Sequence, residues 1–227
     1  MYVLAIDTAL AACSVAVLDV EADAIIAGDS LLMERGHAEA LIPIVEQVMR
    51  DAGLEVRQLW RVAVTVGPGS FTGLRVGLSA ARGFALVAGK PAVGVTTLSA
   101  LAAPYLALDD TLPVVSAIDA RHGHVYLQMF GAGGRTLIAP RVAAVKDAAR
   151  AVAIGPVRLV GSGAALVAEA WPPKETLPTL VEDMAAPDVA WVARLGSVAD
   201  PARSEAKPLY LRPPDAKPQT AARIARR

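Results

Sequence analysis

The alternation of apolar and polar positions divides the chain into short strand-like runs and longer amphipathic ones. Val3 to Ile6, Ser14 to Leu18 and Ala24 to Leu32 read as three strands, with a turn near Thr8 to Ala12 between the first two. From Ala38 to Ala52 the period changes to that of a helix. Leu41, Ile44, Val45 and Val48 fall on one stripe, and Gly53 ends it. A β-branched run from Val62 to Val66 closes on Gly67-Pro68-Gly69, and a helical pattern starting at Ser70 or Thr72 continues to Gly89. Pro91 to Val95 reads as a further strand, and Thr96 or Thr97 caps a helix running to about Leu108.

After Asp109-Asp110 the opening repeats in outline. Pro113 to Ile118 ends in Asp119, as Val3 to Ile6 ends in Asp7; His124 to Phe130 reads as the return strand and Arg135 to Ala139 as a third. A helix over Val145 to Ala153, a strand at Arg158 to Val160, a Gly161-Ser162-Gly163 turn and a last helix from Pro187 or Asp188 to Val198 complete this half. Two halves that both open with strand, Asp and hairpin predict a duplicated α/β lobe. Residues 1–108 form the first lobe, and 109–199 a smaller second lobe with a returning helix. The proline-rich, basic segment 200–227 has too little apolar surface to offset ordering entropy, so order is expected to fade after Arg212.

Composition narrows the function. Lys plus Arg and Asp plus Glu balance at 22 each, which argues against strong nucleic-acid binding by the chain alone, because phosphate neutralisation needs clustered cations. The single cysteine, Cys13, excludes an internal disulfide and fits a reducing compartment. Leu10-Ala11-Ala12-Cys13 imitates the end of a lipoprotein signal. However, no Lys or Arg precedes Arg35, and Asp7 interrupts the apolar segment. No run of about 18 apolar residues exists to cross a bilayer. The chain reads as soluble and cytoplasmic.

The turn after Val66 is the main candidate for chemistry. Backbone N–H groups where a glycine turn enters a helix favour an anion, so Gly67, Gly69, Ser70 and Thr72 make a candidate anion-binding turn. The spacing G-x-G-x-x-x-G is one residue longer than a dinucleotide fingerprint, and no Lys-Ser or Lys-Thr pair follows as in a Walker A loop. Steps of four from Gly73 give Gly77, Ala81, Ala85 and Gly89, a helical ridge of small residues that permits close approach of another element. Each glycine inside a helix costs about 1 kcal/mol relative to alanine, so the ridge requires compensating packing. Composition alone favours packing inside the lobe over packing against a partner. Gly161-Ser162-Gly163 is a weak nucleotide signal, Ser70 has no general base near it in sequence, and Asp7 and Asp119 read as turn-capping residues. His37 opens an amphipathic helix, while His122 and His124 share a hairpin tip with no third metal ligand in sight.

Taken together, several motifs resemble the TsaB (YeaZ) family over essentially residues 1–212. They are Asp7-Thr8, His37-Ala38-Glu39 leading into Leu41-Ile42-Pro43, the block from Gly67 to Gly77, Asp119-Ala120-Arg121 before Val125-Tyr126, and Tyr210-Leu211-Arg212. His124 departs from the pattern, which would have glutamate there. The resemblance implies a two-lobed α/β fold of the actin-like ATPase and sugar-kinase (ribonuclease-H-like) class, each lobe a mixed sheet with helices. It implies a non-catalytic scaffold or activating (dimerisation) subunit that pairs with its paralogue TsaD, together with TsaE. That assembly places a threonylcarbamoyl group on adenosine beside the anticodon of certain tRNAs. The resemblance further implies no cofactor or metal on this chain alone, ATP and metal on TsaD and TsaE, tRNA met only through the complex, no membrane, and a homodimer when the chain is alone.

TsaD-like paralogues carry two histidines at i and i+4 after the fifth strand; Thr97 and Leu101 align with them here, and leucine cannot ligate a metal. The family's subunits pack through helices of the first lobe. On that basis Leu41, Ile44, Val45 and Val48 with Gly73, Gly77, Ala81 and Ala85 are the expected partner interface, and a bulky residue at Gly77 is expected to weaken pairing without unfolding the chain. Two alternatives stand beside this reading: an enzyme in its own right, either a nucleotide-dependent kinase or a metal-dependent peptidase, and a homodimeric binding module unrelated to tRNA.

Overall fold

A computed structural model of the protein describes residues 1–212, so the expectation about order beyond Arg212 lies outside the described residues. Strands β1 (Tyr2–Asp7), β2 (Ala12–Asp19), β3 (Ala24–Leu32), β4 (Leu59–Gly67) and β5 (Ala92–Thr96) form one sheet in the order β3-β2-β1-β4-β5. The first three are antiparallel neighbours, while β1, β4 and β5 run parallel. Strands β6 (Val114–Asp119), β7 (His124–Phe130), β8 (Thr136–Ala144), β9 (Arg158–Val160) and β10 (Leu180–Glu182) form a second sheet in the order β10-β9-β6-β7-β8. It repeats the topology and strand directions of the first. The duplicated lobe expected from the two Asp-terminated strands is therefore present, and its shared topology is that of the actin-like ATPase and sugar-kinase class. No helix among the described residues is long and apolar enough to cross a membrane.

Burial follows from strand position. Central β1 and β4 are apolar nearly throughout and covered on both faces, as parallel-sheet strands are. Edge strand β3 is largely exposed. The matching edge strand of the second sheet, β8, runs five residues past the expected end at Ala139, since an edge strand tolerates Pro140, which has no N–H to donate. Strand β10 has only three residues and was not anticipated.

Helices α1 (His37–Asp51) and α2 (Phe71–Ala88) cover one face of the first sheet, with Leu41, Ile44, Val45 and Val48 packed beside Leu4, Val62 and Val64. Helix α3 (Thr97–Leu108) starts from the first lobe, yet Leu98 and Leu101 pack with Val114, Ile118 and Phe130 of the second. Helices α4 (Val145–Val152) and α5 (Ala164–Glu169) cover the opposite face of the second sheet. Helix α6 (Val189–Val198) then returns to the first sheet, where Val192 and Ala193 meet Val3, Ala5 and Ala63. Arg61 fixes that return. Its Nη1 donates to the carbonyls of Gly196 (2.7 Å), Ser197 (2.9 Å) and Ala199 (2.7 Å) at the C-terminal end of α6. Burial holds the Arg61 guanidinium below its ordinary range, an effect that Asp200 opposes.

The row of small residues on α2 faces inward. A Cβ on Gly73 would run into the Thr8 carbonyl oxygen, and one on Gly77 into the Thr8 hydroxyl. Ala81 and Ala85 are buried in the same core. This corrects the partner-interface assignment: Leu41, Ile44, Val45, Val48, Gly73, Gly77, Ala81 and Ala85 all belong to the interior of their own lobe. An amphipathic helix presents its most apolar stripe to its own sheet first. Gly83 differs, having nothing within 4 Å of an added Cβ.

The two kinds of glycine separate in a stability measurement. Gly77→Leu is expected to cost about 1–3 kcal/mol through overpacking, lowering the thermal midpoint by roughly 3–10 °C. Gly83→Ala is expected to gain up to about 1 kcal/mol and raise the midpoint by a few degrees. Equal midpoints for the two variants would contradict the inward orientation of Gly77.

Candidate functional site

An open cleft of about 700 Å³ lies between the lobes. Its first-lobe wall is built from the β1–β2 turn at Ala9 to Ala11, from Glu34 and Arg35, and from Gly69 and Ser70 of the glycine turn. The second lobe contributes the end of β6, Tyr126, Ser162 and Asp183. Two strand-to-helix turns, one from each lobe, therefore bring Ser70 and Ser162 to the same cleft.

The glycine turn is occupied by its own chain. Ser70 N donates to the Ala9 carbonyl (2.7 Å), and the Ser70 hydroxyl caps α2 by accepting from Gly73 N (3.2 Å). The Thr8 hydroxyl donates to Gly73 O (2.8 Å), and Gly69 lies against the Ala9 carbonyl so closely that a Cβ there would collide with it. Gly67 is buried at φ +107, a conformation that favours glycine. Thr72 is exposed in the first turn of α2. Of the donors an anion would use, those of Ser70 and Gly73 are already engaged. The charges nearby are mixed: Glu34, Asp119 and Asp183 face the cleft beside Arg35 and Arg121, and Arg121 pairs with Asp119 at 3.6 Å.

The two strand-terminal aspartates differ sharply. Asp119 is partly exposed and accepts from Arg121 N (2.8 Å), the turn-capping role its position suggests. Asp7 is fully buried beneath the cleft. One of its oxygens accepts from the Thr65 hydroxyl (2.6 Å) and Ala9 N (3.1 Å); the other, Oδ2, has no partner. Burial pushes the carboxyl up to about 6, against the downward pull of those two hydrogen bonds and of His37. His37 itself is tied to the Leu10 carbonyl through Nε2 (3.1 Å). Burial also raises the Cys13 thiol to about 11, with help from Asp7 and Asp29, so it stays protonated.

Thr97 and Leu101 are fully buried, Leu101 within the apolar cluster of α3 and β6 and Thr97 with its hydroxyl unpartnered. At the β6–β7 tip, Arg121, His122 and Gly123 all have positive φ, and His124 Nδ1 is bonded to the His122 carbonyl (2.8 Å). The ring of His124 thus serves the turn. Among the described residues no group of three or more His, Cys, Asp or Glu is placed to hold a metal ion.

The raised carboxyl of Asp7 sets a sign for pH dependence. The folded chain holds that proton more tightly than the unfolded chain, whose ordinary value is 3.8, so the stability linked to Asp7 falls as pH rises from about 4 to about 6. Wild-type protein should therefore gain thermal stability relative to Asp7→Asn as pH is lowered from 7 to 5. Parallel midpoint curves for the two proteins over that range would refute the assignment.

The family model for TsaD, tRNA N6-adenosine threonylcarbamoyltransferase, matches residues 31–189. The chain is 39% identical over 126 residues to the tRNA threonylcarbamoyladenosine biosynthesis protein TsaB of Escherichia coli, a match covering 56% of this chain and 53% of that protein. The chain thus spans about half the length of the TsaB relatives it matches, with 51% of the Haemophilus influenzae protein covered. An uncharacterized protein of Mycobacterium tuberculosis is 36% identical over 219 residues, covering 95% of this chain and 94% of its own length. Among solved structures, YeaZ from Pseudomonas aeruginosa superposes with a TM-score of 0.77 at 26% identity, covering 92% of this chain and 99% of that one. The TsaD-type match across most of both lobes, the TsaB relatives and the whole-chain likeness to YeaZ converge: this chain belongs to the TsaB (YeaZ) family of tRNA threonylcarbamoyladenosine biosynthesis.

Proposed function

We propose that this chain is the non-catalytic, activating subunit of a threonylcarbamoyl-transfer complex, paired with a catalytic subunit of the TsaD type and working with TsaE. The observation that carries the reading is the burial of Thr97 and Leu101, where the catalytic paralogue's two histidines align. Leucine in an apolar cluster offers no lone pair to a cation. The engaged donors of the glycine turn and the three carboxylates of the cleft point the same way, since both disfavour a nucleotide phosphate. On this reading ATP and metal reside on TsaD and TsaE, and tRNA is modified by the assembled complex.

The surface offered to TsaD is the outer side of α2 with the adjoining side of α1. Gly83, Leu86 and Val87 are exposed on that side, Leu86 to 84%, and the half-buried Val76 and Ala80 continue the row of Gly83 and Val87 along the helix. An exposed glycine inside a helix costs about 1 kcal/mol, and Gly83 gains nothing for it within its own chain. A partner helix lying close against it would compensate. Exposed Ile42 on α1 extends the patch. The same patch would join two copies of the chain when TsaD is absent.

A second reading retains enzymatic activity, because one of the solved relatives is described as similar to a peptidase, YEAZ. Reconstitution separates the two. Purified TsaD should transfer threonylcarbamoyl to tRNA from supplied threonylcarbamoyl-adenylate only when this chain is added, and the chain alone should be inert. Turnover or peptide cleavage by the isolated chain would favour the enzyme. Leu86→Asp with Val87→Asp should weaken TsaD binding at least about tenfold in calorimetry, since each side chain buried at an interface contributes roughly 1.5–3 kcal/mol. The thermal midpoint of the free chain should stay near wild type.

A further inference from the structure

We propose that Phe71, Tyr210 and Arg75 form a stacking platform for an unpaired nucleobase of the RNA substrate, an inference that rests on the subunit reading above. The chain has ten aromatic residues (three Phe, three Trp and four Tyr), and all lie among the described residues. Phe71 and Tyr210 are the exposed ones, at 38% and 43%. Although remote in sequence, they are neighbours in space, with ring centroids 5.3 Å apart and planes inclined by 34°. The Arg75 guanidinium carbon lies 3.8 Å from the centre of the Phe71 ring, and Arg75 Nε is 3.5 Å from the Tyr210 hydroxyl.

Fastening the C-terminal segment does not require this cluster to be exposed. Leu209 N already donates to the Val66 carbonyl (2.7 Å), and Arg82 donates to the Ala206 carbonyl through Nε (3.1 Å) and Nη2 (2.6 Å). What remains is a pair of partly exposed rings, with the Arg75 guanidinium stacked over that of Phe71, next to Ser70 of the cleft wall. A splayed base presents a π-face to such a surface, and a guanidinium alongside serves both the ring and a neighbouring phosphate.

Charge supports the same occupant. The Arg75 guanidinium, held at the two rings, supplies a cation to a phosphate adjoining the stacked base. The platform occupies the first turn of α2, about 20 Å along the helix from Leu86, so it does not coincide with the face offered to TsaD.

The test uses the assembled complex of full-length chain, TsaD and TsaE, with tRNA as substrate and an anticodon stem-loop RNA as binding probe. Phe71→Leu and Tyr210→Leu preserve apolar packing and remove the π-face. The double variant should raise both the KM for tRNA and the Kd for the stem-loop at least about tenfold, with kcat within about twofold. Tyr210→Phe keeps the ring and should bind like wild type. Arg75→Gln should make the salt dependence of binding shallower by about one unit of log–log slope. An active wild-type complex whose double leucine variant keeps wild-type KM and Kd overturns the platform alone. A wild-type chain that leaves TsaD inert overturns the subunit reading and the platform with it.

Discussion

The first lobe is organised by the contact between the glycine row of α2 and the β1–β2 turn. Gly69, Gly73 and Gly77 bring the start of the helix against the backbone of Ala9 and the backbone and hydroxyl of Thr8. Once there, the Thr8 hydroxyl donates to Gly73 O, the Ala9 carbonyl accepts from Ser70 N, and the Leu10 carbonyl accepts from His37 Nε2 at the start of α1. The same turn reaches the second lobe through the Ala11 N bond to the Ala185 carbonyl (3.2 Å). Four residues thus connect two helices, the central strand and the opposite lobe. Close-packed interiors respond to added volume by shifting neighbours, so a methyl group in this row would disturb all of these links.

The same contact accounts for the state of the cleft. A turn that wraps an anion must keep its N–H groups free and its two sides apart. Here the β1–β2 turn and the glycine turn are pressed together, joined by the bonds from Ser70 N to the Ala9 carbonyl and from the Thr8 hydroxyl to the Gly73 carbonyl. The buried carboxyl of Asp7 lies directly below, held by Thr65 and Ala9. The close seating of the glycine turn and the support it gives to α1 and α2 are two results of one packing arrangement.

Much of the strand and helix order was legible because the cues are local. Ser70 and Thr96 signal their helices as caps, Gly89 ends α2 at φ +63, and β-branched runs mark β1 and β4. Features that depend on what lies opposite were not legible. The small-residue row was visible in sequence, but a row identifies a face and not the surface that receives it; that surface is Thr8, some 65 positions away. Arg61 appears in the sequence as an isolated charge within an apolar strand, and its three acceptors lie 135 to 138 residues further on. The cleft is assembled from loops of both lobes, so Asp183 and Glu34 gave no signal of belonging together. Strand β10 and helix α5 are too short to establish a period.

Helices α3 and α6 cross in opposite directions. The helix that ends the first half packs on the second sheet, and the helix that ends the second half packs on the first, locked at its end by Arg61. Each sheet is therefore complete only with a helix supplied by the other half. Although the two sheets share one topology, neither half is self-sufficient. A nick in the connection at residues 109–113 would yield fragments that stay clasped, and separating them would strip each sheet of part of its apolar cover. The repeated architecture is in this sense a single cooperative body, in which the duplicated halves have exchanged the means of standing alone.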